Sequence, residues 1–366
     1  MIVLFVILGI YALLLLAFGF GFQNIKRPDK RQPFTFEKVS IIICAKNEAK
    51  HIRKCLETIM QQQYPKAYIE ILFVDDGSSD ETLEIARKIL SASDVKHQIL
   101  VNPKSIGKKQ SLAIAIEKAE NPFIITRDAD TYTISTHWLT ALMHCRANKK
   151  SDFIIAPVML QNNDGLLWAL QAVENNILQV LAGGSSYFKK PFLCSGANLG
   201  FSKSIYIQCQ GYRSHLHVAS GDDVLFLEDV KKIKEVRIHY LKSTDGIVVT
   251  HACKSLGDLI AQKVRWASKF KYNSNLLNTG LAFLTFSVNA VWIMALFKIW
   301  QATPWQLPLT AYMLIKLLID FLILFVASNF IKNKNIAFYS IPALCLYPLY
   351  ACVIALTSLL IKPRWK

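Results

Sequence analysis

Two aspartates separated by a single alanine, Asp128 and Asp130, stand at the end of the apolar run IITRDADT, Ile124 to Thr131. Side chains alternate faces along a β-strand, so the two carboxylates are expected to point one way and Ala129 the other. Carboxylates side by side repel each other unless a cation sits between them. Hard divalent ions such as Mg²⁺ and Mn²⁺ take oxygen ligands and keep positions open for phosphate, which makes a metal-held diphosphate the natural guest. Taken alone, the same spacing also suits a solvated turn, so the surrounding residues decide.

Several other groups could share that chemistry. Asp75 and Asp76, in DDGSSDET, are good turn and N-cap residues, and one of them could instead accept hydrogen bonds from a nucleobase or ribose. In AKNE (Ala45 to Glu48), Asn47 or Glu48 falls near a helix start, where unpaired N–H groups welcome anions. Lys108 or Lys109, also at a helix start, is either a solvated lysine or a point charge beside phosphate. CSGANLGFSK is rich in glycine and would let backbone approach a ligand closely. Asp222 and Asp223 in SGDD read either as a helix cap or as a general base across the site from the metal. Gln262, Arg265 and Trp266 recur at i, i+3 and i+4 and share one helix face. That tryptophan and arginine could anchor the chain at a membrane interface, or stack on a sugar ring while neutralising phosphate.

These groups need a frame. Lys38–Cys44, Tyr68–Val74, Gln98–Val101 and the Ile124 run read as strands, and the first three lead into helical patterns. Alternation at this spacing predicts a parallel sheet with helices on both faces, with ligands at the carboxyl ends of the strands. The loops Ala45–Glu48, Asp75–Ser79, Gly107–Lys109 and Asp128–Asp130 all fall at those ends. Asp164 to Ala182 follows as an amphipathic helix.

Apolar residues make up 52% of the 366 residues and are unevenly spread. Met1–Phe22 carries no charge and lacks the basic start of a cleaved leader, so it predicts an uncleaved membrane span. Gly280–Phe297, Leu307–Ser328 and Ala337–Ile361 are three further candidates. The expected domains are a transmembrane helix at 1–25, an α/β domain with interfacial helices at 38–275 and a transmembrane bundle at 279–362. The formal net charge of +16 suggests nucleic acid or an anionic membrane. No nucleic-acid motif is present, and the spans already supply the partner. Lys26, Arg27, Lys30 and Arg31 after the first span mark a cytoplasmic side, as do Lys332 and Lys334, whereas Lys362, Arg364 and Lys366 run against that assignment. The eight cysteines show no paired spacing and read as reduced packing residues. Lys316 and Asp320, at i, i+4 inside one span, flag function by default but read more simply as a pair within the helix or facing the bundle interior.

Taken in order, AKNE, VDDGSSD, GKKQSL, RDADT, SGANLGF, SGDD and QKVRW resemble the motif series of the membrane-integrated inverting glycosyltransferases of family 2, the group of cellulose, chitin and hyaluronan synthases and ceramide glucosyltransferase. The resemblance runs from Lys38 to Tyr272. It implies a GT-A fold, a nucleotide-sugar donor that is usually UDP-linked and a divalent metal, Mg²⁺ or Mn²⁺. By position, Asp76 with Asp75 would contact the nucleoside, and Lys108 would lie near the donor. Asp128 and Asp130 would hold the metal and diphosphate. Asp223 would be the base, and Gln262, Arg265 and Trp266 would lie near diphosphate and acceptor. Three C-terminal spans are fewer than a polymer-conducting channel usually has, which favours a lipid or lipid-anchored glycan as acceptor over processive polymer export. A non-catalytic nucleotide-sugar-binding partner of a synthase is the alternative from another class.

Overall fold

In the computed structural model, residues 30–31, 214–220, 268–275, 302–303, 333–334 and 361–366 fall outside those described. The basic residues Lys30, Arg31, Lys334, Lys362, Arg364 and Lys366, used above for orientation, therefore lie outside the described residues. The chain opens with α1 (Ile2–Asn24), then β1 (Val39–Ala45), α2 (Ile52–Met60), β2 (Ile69–Asp76), α3 (Thr82–Ser91), β3 (Lys96–Asn102), α4 (Lys108–Lys118) and β4 (Phe123–Asp128). β5 (Tyr132–Thr133), α5 (Trp138–Lys149), β6 (Phe153–Ile155), β7 (Val158–Leu160), α6 (Leu166–Tyr187), β8 (Leu199–Ser202), α7 (Lys203–Gln208) and α8 (Val224–Val230) follow. Last come β9 (Ile238–Tyr240), β10 (Val248–Thr250), α9 (Leu256–Ala267), α10 (Leu276–Trp300), α11 (Gln306–Ile331) and α12 (Ile336–Leu360).

The elements form two compact units. Met1–Asn24, Leu160–Ser185 and Ala252–Lys366 make one, and Ile25–Met159 with Ser186–His251 make the other.

The second unit is built on a seven-stranded sheet in the order β3-β2-β1-β4-β8-β6-β9. β1 to β4 are mutually parallel, and β8 runs antiparallel to both β4 and β6. This mostly parallel α/β sheet is the expected GT-A architecture. β1 and β2 are buried almost throughout, as a strand covered on both faces must be, and their apolar residues join those of α2, α3 and α5 in one core. Register lines up the carboxyl ends: Ala45 opposite Asp75, Cys44 opposite Asp128, and Asp76 opposite Asn102. A small second sheet, β5-β10-β7, carries Thr250 at the end of its central strand.

The expected strands and helices are present with shifted ends. β2 continues through Asp75 and Asp76, which were expected in the loop. β4 stops at Asp128, so Asp130 lies beyond the strand in a turn. The relation of the two carboxylates is therefore set by that turn, where Thr131 donates its N–H (3.2 Å) and hydroxyl (2.6 Å) to the Asp128 carbonyl, rather than by strand alternation. None of the eight cysteines is in a disulfide.

In the other unit, among the described residues, four helices are long and apolar enough to cross a membrane: Ile2–Asn24, Asn278–Trp300, Gln306–Ile331 and Phe338–Ser358. That is the expected one N-terminal and three C-terminal spans. Lys316 and Asp320 do pair within α11, at 2.7 Å and almost fully buried. Tyr11 of α1 donates its hydroxyl to the same carboxylate at 2.7 Å, which ties the first span to the third. A buried pair of this kind holds only because each charge is matched.

Candidate active site

The carboxyl ends of β1, β2 and β4 bring together most of the acidic groups singled out in the sequence, and each is held by recognisable local chemistry. Asn47 adopts a left-handed backbone (φ 57°), which asparagine tolerates better than other side chains. Its carboxamide oxygen accepts from the Ser79 N–H at 2.8 Å, and its own N–H donates to the Ser78 hydroxyl at 3.0 Å, so AKNE is clamped to DDGSS. Glu48 donates its N–H to the Thr82 hydroxyl at 2.7 Å. Ala45 packs in the core beneath this loop, so only its backbone is available to a ligand.

The two adjacent aspartates behave differently. Asp76 accepts five hydrogen bonds: from the Asn102 amide (3.1 Å), the Ser105 and Ser111 hydroxyls (2.7 and 2.8 Å) and the N–H groups of Ile106 and Gly107 (both 3.0 Å). Burial alone would raise its pKa, but these donors outweigh it and hold the carboxyl below its usual range. Asp76 thus organises the β3–α4 loop, and its oxygens are committed. Asp75 accepts from the Ser78 N–H at 3.1 Å through one oxygen, while the other is buried and finds no hydrogen-bond partner among the described residues. A buried acceptor left in this state is expensive unless a ligand completes it. Gly77 makes the crossing possible: its φ is 73°, and a Cβ there would meet the Ser105 nitrogen at 2.8 Å.

Asp128 and Asp130 form a strained neighbour pair. Burial, reinforced by Asp128, pushes Asp130 up to about 6, and the Thr250 hydroxyl at 3.4 Å is a weak counterweight. Burial followed by the charges of Asp130 and Asp128 pushes Glu48 up to about 7. Lys108 meets the excess charge. Its ammonium lies 2.7 Å from Asp128 and 3.1 Å from Asp222. Burial would lower the lysine, but these carboxylates hold it well above its ordinary value. Gly196 permits this approach, because a Cβ there would sit 2.9 Å from the Asp222 carboxylate. Asp223 caps α8 by accepting from the Val224 N–H at 2.7 Å, and its other oxygen faces the Gly196 N–H at 3.4 Å.

The donor set fits a hard divalent ion shared with substrate. Asp128 and Asp130 are oxygen ligands whose mutual repulsion a cation would relieve, and a lysine ammonium already sits against one of them. Among the described residues no group of three or more His, Cys, Asp or Glu is placed to hold an ion alone. The remaining ligands would therefore come from phosphate and water.

Gln262, Arg265 and Trp266 lie together on α9 in the membrane-helix unit, where Trp266 is 41% exposed. Sequence reading missed the groups that hold Asp76 (Asn102, Ser105 and Ser111), because serines and asparagines in a loop carry no periodic signal. It also missed the flank of Asp130, where the His51 and His251 rings lie 4.4 Å apart and the Lys54 ammonium is 3.4 Å from the centre of the Tyr132 ring. His251 directly follows Thr250, so the THA string was the available hint.

Residues 40–209 match the family described as Glycosyl transferase family 2. That segment is thus similar to a family 2 glycosyltransferase domain. Glycosyltransferase AglE of Haloferax volcanii is 38% identical over 96 residues, covering 26% of this chain and 31% of that protein. The probable glycosyltransferase YdaM of Bacillus subtilis is 31% identical over 179 residues, 48% of this chain and 43% of its own. The chain thus spans less than half the length of these curated relatives. Among solved structures, the mannosyltransferase PcManGT from Pyrobaculum calidifontis, in complex with GDP-Man and Mn²⁺, superposes with a TM-score of 0.55 at 18% identity, over 94% of this chain and 99% of that one. At that identity the likeness is one of fold.

Proposed function

We propose that the chain is a membrane-integrated inverting glycosyltransferase that moves a sugar from a nucleotide donor, UDP-linked in the first instance, to a hydroxyl of a lipid or lipid-anchored glycan at the cytoplasmic face. The observation that carries this reading is the convergence of Asp128 and Asp222 on the Lys108 ammonium, with Asp130 beside Asp128 and Asp75 at a neighbouring strand end of the same sheet. Asp75 offers its unmatched oxygen to the base or ribose of the donor, with Asp76 holding the loop beside it. Asp128 and Asp130 would hold a Mg²⁺ or Mn²⁺ ion, whose charge offsets that gained by the departing diphosphate. Lys108 adds a second positive charge nearby.

Asp223 takes the proton of the acceptor hydroxyl as that oxygen attacks the anomeric carbon on the face opposite the leaving group. One such displacement inverts the configuration and needs no covalent intermediate. Asp222, already paired with Lys108, serves better as a structural counter-charge than as a base. Trp266 is suited to stacking on a sugar ring, and the four apolar helices supply the bilayer anchor.

The test is transfer of radiolabel from UDP-glucose, UDP-N-acetylglucosamine and GDP-mannose to acceptors in native membranes, with products sorted into lipid-extractable and polymeric fractions. A lipid-extractable product that disappears in Asp223→Asn membranes supports the reading. Normal transfer by that variant overturns the base assignment, and a long polymer would make the chain a processive synthase. No release of nucleoside diphosphate from any donor would leave only a nucleotide-sugar-binding partner.

A further inference from the structure

QKVRW contains a residue to which the proposed chemistry gives no task. Lys263 lies on α9 with its side chain only 8% exposed, and its ammonium is 2.6 Å from Glu174 of α6, which is 16% exposed. Tyr350 of α12 donates its hydroxyl to the same carboxylate oxygen at 3.0 Å. The Lys263 ammonium also stands 4.0 Å from the centre of the Trp266 ring, within the range of a cation–π contact. One turn before Glu174, Gln171 accepts from the Cys253 N–H at 2.8 Å and donates to the Cys253 carbonyl at 3.1 Å, which fixes the chain just ahead of α9.

A buried ion pair is a poor device for stability alone, since apolar residues of similar volume do as well or better. This pair has a second consequence. Trp266 is 41% exposed, so packing covers only part of the indole, and the cation against its face adds a restraint.

We propose that Glu174, acting through Lys263, is a positioning residue that fixes the Trp266 indole and with it the face carrying Gln262 and Arg265. Tyr350 completes the arrangement by holding the Glu174 carboxylate. The inference rests on the reading that this face serves sugar transfer, and Trp266→Ala tests that reading separately.

The experiment uses the full chain in membranes and whichever of UDP-glucose, UDP-N-acetylglucosamine and GDP-mannose gives the highest rate, with transfer expressed per folded protein. Glu174→Gln and Lys263→Met are expected to lower kcat/KM by about 10–100-fold, the cost of a small misplacement away from the chemistry. Lys263→Arg, which keeps a cation against the ring, is expected to retain most of it. In the charge-swapped pair E174K/K263E the helices regain their salt bridge but the cation leaves the indole. Folded protein should recover in that variant while kcat/KM stays low. Unchanged kcat/KM in Lys263→Met, or full recovery in the swap, overturns the proposal. If Trp266→Ala itself transfers normally, the role of α9 in transfer fails instead.

Discussion

Two pairs of aspartates at the same rim of one sheet are held in opposite ways. In the pair at the end of β2, Asp76 is saturated with five donors and kept acidic, while Asp75 keeps one buried oxygen unmatched. In the pair at the end of β4, the carboxylates oppose each other, and Asp130 is raised to about 6. Identical side chains thus perform different tasks. Asp76 ties the β3–α4 loop together, and Asp128 with Asp130 concentrate negative charge beside Lys108. Stored repulsion of this kind is common where binding, rather than folding, selects the residue.

The sharpest way to break the comparison is to remove charge from each pair. Asp128→Asn should lower transfer about 10³-fold, the usual scale for losing a group that stabilises charge in the transition state, with little loss of folded protein. Asp76→Ala should act through structure. Leaving several donors without their acceptor is expected to cost about 3–5 kcal/mol, read as a lower thermal midpoint, with activity falling alongside. If Asp76→Ala kept its thermal midpoint and lost only activity, the division of labour would be wrong.

Acidity gives a milder test. Asp130 and Glu48, raised to about 6 and about 7, take up protons as the pH falls through those values. A cation needs the charged forms, so Mn²⁺ binding in the presence of UDP or GDP should weaken between pH 8 and pH 5. The same shift has the opposite sign for stability. A folded carboxyl raised above its unfolded value favours the folded state more as the pH drops toward that unfolded value, and opposes it when ionised at higher pH. Asp130→Asn should therefore raise the thermal midpoint in metal-free buffer at pH 8, by about 2–4 °C. Asp76 has a lowered pKa, so its contribution is present above the unfolded value and is lost only as pH falls through the folded one.

The sequence was most legible where a pattern repeats. Alternating strands and helices marked the parallel sheet, apolar runs marked the four helices of membrane-crossing length, and a family motif series marked the rim. Element ends were less legible: Asp75 and Asp76 continue β2 because strand pairing with β1 and β3 extends past the apolar residues. The roles within DD were hidden for a different reason. Whether an aspartate is saturated or unmatched depends on Ser105, Ser111 and Asn102, which only the folded loop brings near it. The link from Glu174 to Lys263 was similarly out of reach, since nothing local couples a charge on one amphipathic helix to a charge on another.

The most direct measurement is a Mn²⁺ titration of the detergent-solubilised chain, followed by electron paramagnetic resonance, with and without UDP or GDP, in wild type and in the double variant D128N/D130N. Nucleotide-dependent binding of about one Mn²⁺ per chain is predicted for a site with few protein ligands, and its loss is predicted in the double variant. Equal binding in the two proteins would contradict the assignment of that turn to the cation.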